Sequence, residues 1–141
     1  MWKDFLSSIG IGSVKVDTRL EKKAYVQGEA IKGEVLIKGG IAEEQIESIA
    51  ITMFLRYESV RPDSDFTFHD KDLDELVIPL TDEIDSNEEK RIPFTLQLDK
   101  KHPATSEKYQ TFLRTTLLIP QAIDSSDEDE IIVRTVKEID A

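Results

Sequence analysis

An antiparallel all-β sandwich of about seven strands, preceded by a short N-terminal helix, is the fold class that this sequence predicts. Three observations predict it. Apolar and polar residues alternate with a period of two in segment after segment, which is the signature of strands with one buried face. Glycine, proline or clustered acidic residues separate those segments. A helical period of apolar residues occurs once, in the first ten residues.

That opening stripe consists of Trp2, Phe5, Leu6 and Ile9, at i, i+3, i+4 and i+7, and Gly10 is a natural stop for it. From Ser13 to Glu21 the period becomes two, with Val14, Val16, Thr18 and Leu20 facing one way and Lys15, Asp17, Arg19 and Glu21 the other. The stretch Tyr25 to Gly40, YVQGEAIKGEVLIKGG, leads through a turn at Gly28 into a second strand that stops at Gly39-Gly40. In it Ile31, Gly33, Val35 and Ile37 share one face, Lys32, Glu34 and Lys38 the other, and Leu36 is the apolar exception.

A long strand follows from about Ile46 to Tyr57, apolar on the face of Ile49, Ile51, Met53, Leu55 and Tyr57 and only weakly polar on the other, so that both sides are partly covered. Ser59 to Glu75 is acidic and poor in aliphatics and reads as a loop carrying one short strand. Leu76 to Leu80 is a short strand whose Pro79 suggests an edge or an end. After the polar turn TDEIDSNEEK, the segment Arg91 to Leu98 turns Ile92, Phe94, Leu96 and Leu98 inward. Lys100 to Lys108 is a loop, Tyr109 to Ile119 a long strand ended by Pro120, QAIDSSDEDE a solvated acidic connection, and Ile131 to Ile139 the last strand.

The chain has 141 residues, which suits one domain able to bury roughly two-thirds of its unfolded surface. It contains no cysteine, which excludes disulfides, thiolate nucleophiles, Fe-S clusters and cysteine zinc sites. Its 29 acidic against 18 basic residues give a net charge of -11, which repels phosphate backbones and argues against nucleic-acid binding. The same charge keeps a protein dispersed in water or steers a basic partner. No signal-peptide pattern or apolar run of membrane-spanning length is visible, so a cytoplasmic location without a membrane span is expected.

Several of these pieces occur together in one known family. They are the strand VKVDTRLEK, the pattern Y-x-x-G-E-x-x-x-G-x-V-x-I-x-G-G over Tyr25 to Gly40, the strands QIESIAITMFLRY and IPFTLQL, and the segment TTLLIPQAIDSSDEDEIIV with Ile119, Ala122, Asp124 and Asp127. The chain resembles the bacterial sporulation-control proteins of the SpoOM type, whose N-terminal half is arrestin-like, over nearly its whole length. Departures fall in turns: Gln27 stands where relatives often carry proline, Ser86-Asn87 replaces a Pro-Gly turn, and Asp99 replaces a proline. The resemblance implies an arrestin-like or immunoglobulin-like sandwich at residues 1–141, here an isolated N-terminal half or a short member. It implies a non-enzymatic, cytoplasmic regulatory protein in the control of sporulation that acts through protein contacts. A self-associating structural domain without a distinct client is the alternative.

Residue chemistry agrees with a protein that is not an enzyme and needs no cofactor. His69 and His102 lack a nucleophile-elbow neighbour and read as solvated loop histidines. Asp63, Asp65, Thr67, His69 and Asp74 have spacings near those of a calcium loop, but Phe68 occupies the position that needs glycine and Asp74 the position of the bidentate glutamate, so no metal site is assigned. Gly10-x-Gly12 is half a nucleotide fingerprint placed before a strand. The expected partner or self-association surface is the helix stripe Trp2, Phe5, Leu6 and Ile9, because Trp and Phe are favoured anchors, although the same stripe suits packing on the sandwich. Lys3 is the helix's only cation, which disfavours a membrane anchor, and Trp2 excludes N-myristoylation. The second expected surface is the sheet edges, with the strand ending at Glu21 and the strand Leu76 to Leu80 as the edges, and Lys15, Arg19, Lys22 and Lys23 guarding the first.

Overall fold

The computed structural model describes residues 14–41, 43–60, 66–120 and 125–136. The expected helix and its stripe Trp2, Phe5, Leu6 and Ile9 lie outside them, as do Asp63, Asp65 and Asp124. Among the described residues the elements are all strands: β1 (Lys15–Leu20), β2 (Ala24–Val26), β3 (Ala30–Lys38), β4 (Glu44–Val60), β5 (Phe66–Ile84), β6 (Glu89–Gln97), β7 (Tyr109–Leu118) and β8 (Ser125–Arg134). They form a three-stranded sheet in the order β1-β3-β6 and a five-stranded sheet in the order β2-β8-β7-β4-β5.

The described residues thus form eight strands where about seven were expected, and one pairing departs from the antiparallel pattern. The short β2 runs parallel to β8, with Ala24 beside Ile132 and Val26 beside Arg134. It holds Tyr25, 1% exposed, whose hydroxyl accepts the Lys22 amide at 3.2 Å. A three-residue run inside the Gly28 turn region offers too little periodicity to register as a strand by itself.

Inward faces follow the alternation. Ile31, Val35 and Ile37 of β3, Ile49, Ile51 and Met53 of β4, Phe94 and Leu96 of β6, and Leu113 and Leu117 of β7 are buried in one core shared by the two sheets. Ile49, Ile51, Leu113, Leu117 and Ile131 are fully inaccessible. Each such side chain contributes about 1.5–3 kcal/mol on burial. Gly33 is where β1 and β6 crowd β3: a Cβ there would stand 2.5 Å from the Arg19 carbonyl oxygen and 3.1 Å from the Phe94 ring. The turn between β5 and β6 places Asn87 at φ 60°, a left-handed conformation that asparagine tolerates and that a Pro-Gly turn would also supply.

Two expected connections are ordered differently. Ser59 to Glu75 is no loop: β4 and β5 form one long hairpin, paired from Val60↔Phe66 to Glu44↔Ile84. The acidic run Ser125 to Glu130 is the first part of β8, paired with β7 from Ser125↔Leu117 to Ile131↔Thr111, so the last strand starts six residues earlier than Ile131 and ends at Arg134. In both cases the backbone ladder runs on beneath charged side chains, and among the described residues all but Asp127 and Asp129 of β8 lie on the more exposed positions. The loop between β6 and β7 is as expected, but it is tied down: Thr105 and Val133 exchange bonds of 2.9 and 2.8 Å, and Gln27 Nε2 donates to the His102 carbonyl at 2.5 Å.

Candidate functional site

Two of the predicted surfaces can be located. β1 is an edge of the smaller sheet and β5, which contains Leu76 to Leu80, is an edge of the larger one. β5 interrupts its pairing with a bulge, since Met53 faces Asp74 while Phe54 faces Asp72, which leaves Leu73 as the extra residue. Phe68, Leu73 and Val77 of this strand are exposed large apolar residues. Lys71, the bulge and Pro79 are devices that discourage indiscriminate edge pairing.

Beside the bulge a cleft of about 460 Å³ opens between β5 and the β6–β7 loop, lined by Met53, Leu73 and Pro103 with Asp74, Gln97, Asp99, Lys101 and His102. His102 corrects the expectation of a solvated loop histidine. It is 4% exposed, its Nε2 lies 2.7 Å from Thr111 Oγ1, and burial pulls its pKa below the ordinary imidazole value against the weaker pull of Asp99. The Asp99 side chain makes the tight turn that places it, accepting the Lys101 amide at 2.7 Å. His69 is likewise no loop residue: it stands on β5, stacks on Tyr57 at 5.4 Å and meets Ser59 Oγ at 2.8 Å. Thr67, His69 and Asp74 lie along this extended strand, and among the described residues no three His, Asp or Glu side chains are gathered for a metal ion.

The outer face of the larger sheet carries an aromatic and cationic ladder. Phe54, fully buried, stacks on Phe112 at 5.3 Å. Arg114 covers the Phe54 ring at 4.5 Å, and Arg56 covers Phe112 at 4.7 Å. Each guanidinium is held by an acid on the neighbouring strand, Arg56 by Asp70 at 2.8 Å and Arg114 by Glu128 at 2.9 Å. The Arg56 contact lowers the pKa of Asp70. This explains the weakly polar second face of β4: its cover is made of arginine stems over aromatic rings, which composition alone does not reveal.

The inner face is not wholly aliphatic. Opposite-facing alternation along β8 turns Glu128 and Glu130 outward and Asp127 and Asp129 toward β1. Asp127 Oδ2 accepts the Thr18 amide at 2.9 Å. Thr18 Oγ1 donates to Thr115 Oγ1 at 2.7 Å, and Ser125 Oγ donates to the Val14 carbonyl at 2.5 Å. No local signal marked this seam, because the D-E-D-E run is acidic at every position and carries no apolar alternation. Among the described residues no helix is long and apolar enough to cross a membrane.

Comparison with known proteins adds the following. A family model described as SpoOM protein matches residues 2–141. The sporulation-control protein Spo0M of Bacillus subtilis is 37% identical over 132 residues, which are 94% of this chain and 51% of that protein. The crystal structure of Spo0M from Bacillus subtilis superposes with a TM-score of 0.81 at 35% identity, over 88% of this chain and 50% of that one. A DUF4466 family protein from Parabacteroides merdae superposes with a TM-score of 0.53 at 7% identity, over 86% of this chain and 46% of that one, a likeness of fold alone. The chain spans about half the length of the Bacillus subtilis relative.

Proposed function

The chain belongs to the SpoOM protein family, and from that membership we propose that it is an arrestin-like, non-enzymatic regulatory module that serves the control of sporulation through protein contacts in the cytoplasm. The observation that carries this reading is the agreement of sequence and shape with Spo0M, 37% identity over 132 residues and a TM-score of 0.81. The edges β1 and β5 and the stripe Trp2, Phe5, Leu6 and Ile9 are the surfaces on which such contacts would form. The absence of cysteine removes the thiol chemistries, and His102, the more deeply buried of the two histidines, is engaged with Thr111.

The test is a chimera in which this chain replaces the matching half of Bacillus subtilis Spo0M, expressed in a strain that lacks its own copy. Heat-resistant spore counts restored to the parental level support the reading. Counts that stay at the level of the deletion strain, with the chimera present and folded, reject it. A second chimera with Trp2→Ala, Phe5→Ala, Leu6→Ala and Ile9→Ala separates the stripe from the sheet edges as the contact surface.

A further inference from the structure

Asp127 and Asp129 stand on one face of β8, turned into the seam where β1 of the smaller sheet crosses the larger sheet. Removing a carboxylate from water is costly unless hydrogen bonds or opposite charge compensate, and two adjacent carboxylates cannot both be ionised there at low cost. Asp127 is compensated by the Thr18 amide at 2.9 Å. Asp129 hydrogen-bonds Asp127, and its Oδ2 is buried without a hydrogen-bond partner among the described residues. The surroundings supply little more. β7 places Thr115 and Leu113 opposite the two acids, β2 reaches β8 only at Ile132 and beyond, and β1 brings Asp17, which adds to the repulsion, and Arg19, which pairs with Asp17 at 2.6 Å and whose charge opposes the rise at Asp129 more weakly than burial and Asp127 cause it. Arg114 and Glu128 form their ion pair on the outer face, where Glu130 also lies.

We propose that Asp127 and Asp129 form a proton-dependent latch, in which one proton shared by the two carboxyls holds β1 onto β8 and its loss loosens the seam between the sheets. In the latched form Asp129 donates its proton to Asp127, and Asp127 keeps an oxygen for the Thr18 amide. Without the proton two negative charges face each other beside Asp17, and the strand that carries Asp17 and Thr18 is the part free to retreat, because β1 is a sheet edge. Burial, and then the charge of Asp127, push the Asp129 pKa up to about 8, so the latch opens as pH rises through that region. The direction is that of an acid with a raised folded-state pKa: the stability it contributes is complete below the unfolded value of 3.8 and is lost as pH rises toward 8.

The experiment is amide hydrogen exchange of the full chain, followed residue by residue and corrected for the intrinsic pH dependence, at pH 6.5 and pH 9. Protection of the β1 amides from Val16 to Leu20 is expected to fall about tenfold, the factor that corresponds to one pKa unit, while the β4–β7 amides hold theirs. Asp129→Asn, which keeps a neutral donor beside Asp127, is expected to show no such fall. Equal β1 protection at both pH values in the parent chain, or an undiminished fall in the variant, overturns the latch. If the variant does not fold, the carboxyl carbon of Asp129 is titrated by NMR in the parent chain, where a midpoint above 6 supports the proposal and one below 5 overturns it.

Discussion

His102 Nε2 and Thr111 Oγ1 lie 2.7 Å apart with both residues buried, and this bond anchors the loop between β6 and β7 to the inner face of the larger sheet. A loop histidine therefore acts as a core residue. Thr111→Val keeps the shape and removes the partner, leaving a buried imidazole nitrogen unsatisfied. Chemical denaturation is expected to show a loss of about 1–3 kcal/mol.

The same imidazole sets a pH dependence on the acid side. Its folded pKa lies below the unfolded value of 6.5, so the unfolded chain takes up the proton first. The stability contributed by neutral His102 is complete above 6.5 and is lost as pH falls below it toward the folded value. Melting temperature between pH 7 and pH 5 is expected to decline in the parent chain, with a shallower slope in His102→Gln.

At Gly33 the space for a side chain is already occupied by the Arg19 carbonyl, 2.5 Å from where a Cβ would sit. Because the nearest atom is backbone, β1 itself would have to shift. Gly33→Ala is expected to cost about 1–3 kcal/mol in urea unfolding, against the usual gain from replacing glycine in a strand.

Phe54 unites the stack with Phe112 and the cover by Arg114. Phe54→Ala is expected to lose about 3–5 kcal/mol. A double-mutant cycle on the half-exposed Arg56–Asp70 pair is expected to give no more than about 1 kcal/mol. A coupling several times larger would show that the arginines, and not the rings, hold the ladder together.

How much of this was legible in the sequence depended on which residues formed the outward faces. β1, β3, β6 and β7 alternate apolar with polar side chains, and Val16, Ile37, Phe94 and Leu113 sit inward as their spacing requires. The edges were legible too, through Pro79 and the lysines near Glu21. The acidic strands were not. Asp70, Asp72 and Asp74 in β5, and Asp127 and Asp129 in β8, have the composition of loops, because nothing local distinguishes a carboxylate facing water from one paired across a strand or turned into a seam. His102 was misjudged for the same reason: its partner, Thr111, is supplied by the sheet and not by its neighbours in the loop.

The seam also couples distant parts of the chain. Thr18 and Asp127 are 109 positions apart, and the parallel pair of β2 with β8 closes over a similar span. Contacts of such sequence separation form late, since a long loop must close before they contribute anything. During synthesis β1 and β2 emerge long before β8 yet cannot complete their surroundings until it has left the ribosome. Folding of this unit is thereby tied to the synthesis of β8, and a nascent chain cut short before Ser125 lacks the strand against which β1 is meant to rest.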